Sequence, residues 1–160
     1  MQASFISAQE LVRAVLGVVG ECFDGAQDRG AFLVPGQGGL LALLDGLSAS
    51  QASTPVAGES IATHALHLAF SLDAFTDWIE GTRDKEYDWE SSWTVSTVNE
   101  REWLAVRRRM ADQAGRLREV IERRAPVDPE AAWSAAGVLA HTAYHLGAVQ
   151  VKADVLSNGH

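Results

Sequence analysis

The chain lacks nearly everything that would tie it to an oxidising compartment, a membrane or a nucleic acid. It has one cysteine, Cys22, in 160 residues. One thiol excludes an intramolecular disulfide framework and agrees with a reducing cytoplasm, where the protein is expected to reside. Cys22 ends a helical pattern beside Phe23 and reads as a small buried apolar residue rather than a catalytic thiol. No uncharged apolar run reaches the ~18 residues of a membrane-crossing helix, so no membrane span is expected. Met1 to Ser7 has neither a basic start nor an apolar stretch, so no signal peptide is expected. Basic charge is scarce: 13 Lys and Arg stand against 21 Asp and Glu, a net charge of -8. That balance argues against nucleic acid and anionic membrane as partners. Catalytic signatures are missing too: there is no Ser-His-Asp order and no HExxH. Gly36-Gln37-Gly38-Gly39 has no preceding strand pattern and no Lys-Ser/Thr continuation, so it reads as loop punctuation rather than a phosphate cradle.

Convincing strand alternation is absent as well, and helical periodicity fills the chain. Ser7-Ala8-Gln9-Glu10 is a capping box, followed at helical spacing by Leu11, Val12, Val15, Leu16, Val18 and Val19. Gly25 to Gly39 is a loop. Leu40 to Leu47 predicts a short helix stopped near Gly46, and Ser48 to Gly58, broken by Pro55, predicts a connector. A second long helix begins near Glu59 or Ser60 and ends at Gly81, with Ile61, Ala65, Leu68, Leu72, Phe75 and Ile79 as its stripe. Thr82 to Thr97 is a loop holding Tyr87, Trp89 and Trp93. Asn99 opens a third helix carrying Trp103, Val106, Met110, Leu117, Val120 and Ile121 inward. Pro126 and Pro129 mark the next break, and Glu130 to about Leu156 is the last helix. The expectation is a single all-α domain over residues 1–160. Its architecture is a four-helix bundle of the up-down type, with a short extra helix between the first and second long helices.

Four of the five histidines fall in two pairs, His64 with His67 and His141 with His145. Spacings of three and four stack side chains on one helical face; at about 100° per residue, His141 and His145 are about 40° apart in azimuth. Their neighbours Val138, Leu139, Leu146 and Val149 are apolar. Burying two imidazoles side by side needs a shared reason, and a divalent metal ion supplies one. On the second helix periodicity alone leaves the choice open, with a slight preference for His64 near the centre of the apolar arc over His67 at its edge. No carboxylate is spaced with the histidines as an obvious general base. Tyr144 points about 100° away from His145 and reads as helix packing with a wetted hydroxyl. Trp89 and Trp93 either roof a pocket or anchor their loop to the bundle. Arg107-Arg108-Arg109 fans over about 200° and reads as a solvated face with one arginine pairing an acid.

The stretch Ser60-Ile61 to His67-Leu68-Ala69, with His141-Thr142-Ala143-Tyr144-His145-Leu146-Gly147, resembles the DinB-like superfamily of metal-dependent enzymes. That group includes bacterial thiol S-transferases and mycothiol-dependent maleylpyruvate isomerases. The resemblance covers nearly the whole chain and implies a four-helix bundle in which one histidine of the second helix joins an HxxxH on the last. It thereby assigns the metal to His67, His141 and His145, and leaves His64 outside that set as a neighbour supporting the ligands, a pocket wall or an extra ligand. Zinc, nickel or iron(II) is the implied ion, with a low-molecular-weight thiol as a candidate cosubstrate. The implied chemistry is attack by a thiol or water on a small-molecule substrate, by S-transfer or hydrolysis. Pairing into a homodimer is implied as well. Many relatives carry glutamine after the glycine; here Ala148 stands there and Gln150 follows. The competing expectation is a metal-binding bundle without catalysis, with a sensor, stress-related or interaction role.

Overall fold

In the computed structural model, which describes residues 5–158, six α-helices account for the architecture and no strand forms among the described residues. Residues 1–4 and 159–160 lie outside that range, so the fifth histidine, His160, is not described. The helices are α1 (Ala8–Asp24), α2 (Leu40–Asp45), α3 (Ala49–Ser53), α4 (Ile61–Glu80), α5 (Glu100–Arg124) and α6 (Pro129–Asn158). Four are long and form the bundle expected from the periodicity.

Local chemistry sets the helix starts. Ser7 caps α1 and Asn99 caps α5, each in a complete capping box with Glu10 and Glu102 respectively. Ser60 caps α4 by accepting from the Thr63 N–H, and Gly81 ends it in the left-handed conformation at φ 105°. Asp128 accepts from the N–H groups of Glu130 and Ala131 at the start of α6, where Pro129 sacrifices no needed donor.

One segment departs from its expected structure. Ser48 to Gly58 is not wholly a connector, because Ala49–Ser53 forms the one-turn helix α3. Ser48 and Gln51 build a capping box there, and Ala49 and Ala52 are buried. The small, polar composition that suggests a connector also suits a capped single turn. Two short helices therefore stand between the first two long ones.

The expected stripes face inward. Ile61, Leu68, Leu72 and Ile79 on α4 and Trp103, Met110, Leu117 and Ile121 on α5 are essentially inaccessible. The Trp103 indole N–H is satisfied at 2.8 Å by the Leu47 carbonyl, which ties α5 to the link between the two short helices. Among the long helices, α4 packs along α5 and α6, and α1 packs along the same two, so α1 and α4 occupy opposite corners. The α4–α6 seam is antiparallel: Phe75 meets Gly137 near one end, and His64 meets His145 further along. A Cβ at Gly137 would sit 3.2 Å from the Phe75 ring, so glycine lets the two helices close at this level.

Candidate metal centre

The α4–α6 seam brings both histidine pairs together. His67 comes from the middle of α4, and His141 and His145 from successive turns of α6. One imidazole nitrogen from each of His67, His141 and His145 lies within 4.8 Å of the others. The ring centroids are 5.3 Å apart for His67 and His141, 5.0 Å for His67 and His145, and 4.6 Å for His141 and His145. His64, one turn before His67, meets the group from the side, with its Nδ1 3.0 Å from Nδ1 of His145.

The surroundings keep these rings neutral. His67 is 4% exposed and His145 1%. Desolvation first, and the neighbouring imidazoles second, push His67 down to about 4 and His145 down to about 3. Burial lowers His141 also. His64 is lowered by burial and then by the positive charge of Lys152, against a weaker opposing pull from Glu59. Neutral imidazoles present lone pairs at neutral pH, which a cation requires. His141 Nε2 is buried and has no hydrogen-bond partner among the described residues. An orphaned buried nitrogen beside two further imidazoles is the donor arrangement that a metal ion satisfies, so the residues fit such an ion.

The aromatic loop reaches this cluster. Its 3-10 turn, Ser91–Trp93, packs against α4. Trp93 stacks on His67 with 3.9 Å between centroids and 24° between planes. Ser92 Oγ is 2.7 Å from His67 Nδ1. Trp89 makes edge contact with Phe70 at 5.2 Å, and the Tyr87 hydroxyl donates to Asp77 at 2.6 Å. The two tryptophans thus divide the roles open in the sequence: Trp93 roofs the cluster and Trp89 anchors the loop. Beyond the turn, the Ser60 hydroxyl donates to the Ser96 carbonyl at 2.7 Å and pins the loop to the start of α4.

Other residues singled out in the sequence fall elsewhere. Tyr144 makes an edge contact with the His145 ring at 5.2 Å but is 71% exposed. Cys22 is fully buried, and burial pushes its thiol up to about 11. Two of the three consecutive arginines pair with acids, Arg107 with Asp45 and Arg109 with Asp73. The glycine-rich loop crosses its own chain at Gly25 and Gly38, and a Cβ on Gly25 would sit 2.2 Å from the Gln37 carbonyl oxygen. Those glycines serve a backbone crossing.

Two residues near the cluster are missing from the candidates drawn from the sequence, one with no local signal and one with a signal in its spacing. Ser92 sits in an irregular loop with no periodic pattern, so nothing local announces its contact. Lys152 is only 7% exposed, and its ammonium donates to the Val56 carbonyl. It forms no ion pair with a carboxylate among the described residues. Its position seven residues after His145 places it on the same face of α6 two turns on, a signal the sequence does carry.

A family model described as the DinB superfamily matches residues 36–148, a span from before α2 to just past His145. The chain belongs to that superfamily. No curated protein and no solved structure matches it.

Proposed function

From its membership of the DinB superfamily, we propose that the protein binds one divalent metal ion through His67, His141 and His145 and uses it in an enzyme acting on a small molecule. The observation that carries the reading is the convergence of three neutral imidazoles from two helices, two buried and one half-buried, the half-buried one with a buried nitrogen that has no hydrogen-bond partner among the described residues. Zinc, nickel and iron(II) all suit imidazole, and affinity order alone does not choose among them in a cell. An ion held by three neutral ligands would supply open coordination positions and Lewis acidity, favouring the deprotonated form of a thiol or of water near neutral pH.

The chain's own residues supply the setting. Burial keeps the imidazoles unprotonated, and Trp93 shields His67 from bulk water. Lys152 holds a buried positive charge that acts on His64 from two turns beyond His145 on α6. Among the described residues, no carboxylate joins the three-histidine group. S-transfer with a low-molecular-weight thiol is preferred to hydrolysis on the strength of the family resemblance. The second reading, a metal-binding bundle without catalysis, is favoured by the closure of Trp93 over His67. A homodimer formed through the outer face of α6 belongs to the proposal. Trp133, Tyr144 and Val151 on that face are 71%, 71% and 64% exposed.

The test is reconstitution with cobalt(II), metal analysis, and titration with candidate thiols and with simple ester and amide substrates. One equivalent of cobalt, lost on His141→Ala or His145→Ala, is the expected binding result. A thiol-dependent charge-transfer band with turnover supports the enzyme. Full occupancy in the alanine variants would overturn the ligand assignment. Full loading without spectral change or turnover would leave the non-catalytic bundle.

A further inference from the structure

The loop turn that covers the cluster also counts protons for it. Ser92 Oγ has two short contacts: 2.6 Å to the Trp89 carbonyl oxygen and 2.7 Å to His67 Nδ1. A hydroxyl has one proton to give, and a carbonyl oxygen can only accept. Two oxygens at 2.6 Å need a proton between them, so Ser92 donates to Trp89. The Ser92 oxygen must then accept from His67, which places the ring's single proton on Nδ1. The ring is buried and its hydrogen-bond partners among the described residues are hydroxyls, with no carboxylate to hold a second proton, so with the one proton on Nδ1 the lone pair falls on Nε2.

Among the described residues, Ser71 is the one other hydroxyl bonded to that ring, 3.4 Å from Nε2. Its proton goes to the His67 carbonyl at 2.8 Å, the shorter and better contact, so it has none to donate to Nε2. The reverse tautomer would require Ser92 to donate to His67. That choice would leave the Trp89 carbonyl facing an oxygen at 2.6 Å with no proton between them. The same turn fixes the ring plane, because Trp93 follows Ser92 and stacks on His67.

We infer that Ser92 is a positioning residue: through a relay from His67 Nδ1–H to the Ser92 hydroxyl to the Trp89 carbonyl, it holds His67 in the tautomer that leaves Nε2 free for the His141–His145 cluster. The value of this to the protein rests on the metal-binding reading, but the tautomer is a property of the metal-free chain. It also couples two parts of the site. Lifting the Ser91–Trp93 turn releases both the hydrogen bond that sets the His67 tautomer and the stack that sets its plane. Access to the cluster and readiness of His67 as a ligand therefore change together.

The experiment uses the full chain, labelled with 15N-histidine and freed of metal, in long-range proton–nitrogen correlation spectra at pH 8, followed by zinc titration. The wild type should show a pyrrole-type Nδ1 and a pyridine-type Nε2 for His67, a resonance identified by its loss in His67→Gln. Ser92→Ala should give averaged tautomers and a zinc affinity lower by about 10- to 100-fold, the usual cost of removing a hydrogen bond to a ligating histidine. Ser92→Thr, which keeps the hydroxyl, should restore both. Ser91→Ala removes a neighbouring hydroxyl that bonds only within the loop, to the Asp88 carbonyl, and should change neither. A locked tautomer in a protein that binds no zinc would refute the metal reading and leave Ser92's role standing. Zinc binding with an unchanged tautomer and affinity in Ser92→Ala would overturn the inference. An equal effect from Ser91→Ala would also overturn it, by tracing the change to loop integrity.

Discussion

Glu21 should be the most costly single carboxylate to neutralise. It lies in the last turn of α1, 7% exposed, and accepts from three consecutive backbone N–H groups: Ala31 at 2.6 Å, Phe32 at 3.0 Å and Leu33 at 2.6 Å. Those bonds organise the loop between α1 and α2, whose backbone has few other partners there. Glu21→Gln keeps the shape. One amide oxygen can still serve Phe32 and Leu33, which share Oε1, but the amide nitrogen then faces the Ala31 N–H, donor against donor. One orphaned N–H costs about 1–3 kcal/mol, and two charge-assisted bonds weakened to neutral ones add roughly 1 kcal/mol, so the loss is about 2–4 kcal/mol. That is a large part of the ordinary stability of a domain, about 5–15 kcal/mol. Urea denaturation followed by circular dichroism at pH 7 measures it. Acid gives a second handle. Burial alone would raise the Glu21 carboxyl, but the three backbone N–H groups outweigh it and hold it below its ordinary 4.5. The folded value lies below the unfolded one, so this stabilisation is complete above about pH 4.5 and is lost as pH falls through the folded value. The gap between wild type and Glu21→Gln should therefore narrow only below pH 4.5. A variant within about 0.5 kcal/mol of wild type at pH 7, well under the ~1 kcal/mol of a single net hydrogen bond, would refute the reasoning.

The cluster predicts acid sensitivity of the metal-free protein at a higher pH. His67 and His145 titrate in the folded chain at about 4 and about 3, below the ordinary 6.5, so their neutral burial is without penalty above 6.5 and costs more as pH falls below it. By pH 5 each costs roughly 2 kcal/mol, and thermal melts of chelator-treated protein at pH 7.5 and pH 5 should differ accordingly; coincident melts would count against neutral burial. Cys22 should resist a thiol reagent at pH 8 until denaturant is added, and rapid labelling of the native protein would contradict its burial. Light scattering at tens of micromolar should give twice the chain mass, and Tyr144→Glu on the outer face of α6 should return it to one; a wild-type monomer would remove the homodimer. Trp93→Ala should leave the helix content unchanged but speed metal loss to a chelator, since it uncovers His67. Equal release rates would deny Trp93 its covering role.

Much of the fold was legible because its causes are local. Helical stripes on α4 and α5, capping boxes at Ser7 and Asn99, and stops at Gly46 and Gly81 are written in residues a few positions apart. The one-turn helix α3 escaped because a single capped turn of small polar residues has no period to read. At the site, the spacing of His141 and His145 shows that two imidazoles share a face of α6. On α4 the periodicity leaned slightly toward His64, near the centre of a broad apolar arc, and only the resemblance favoured His67 at its edge.

By itself, then, the sequence determined the helices, their buried faces and the presence of two histidine pairs, because helix geometry makes spacing equivalent to direction. Tertiary structure alone decided which nitrogens meet. The antiparallel closure of α4 on α6 at Gly137 sets the level at which His67 reaches His141 and His145, and turns His64 toward His145 Nδ1. The turn carrying Ser92 and Trp93 reaches His67 across 25 residues of chain, through hydrogen bonds that no local pattern encodes. Contacts between elements depend on crossing, register and loop path. Those are set by the packing of the whole core, not by any residue's neighbours in sequence.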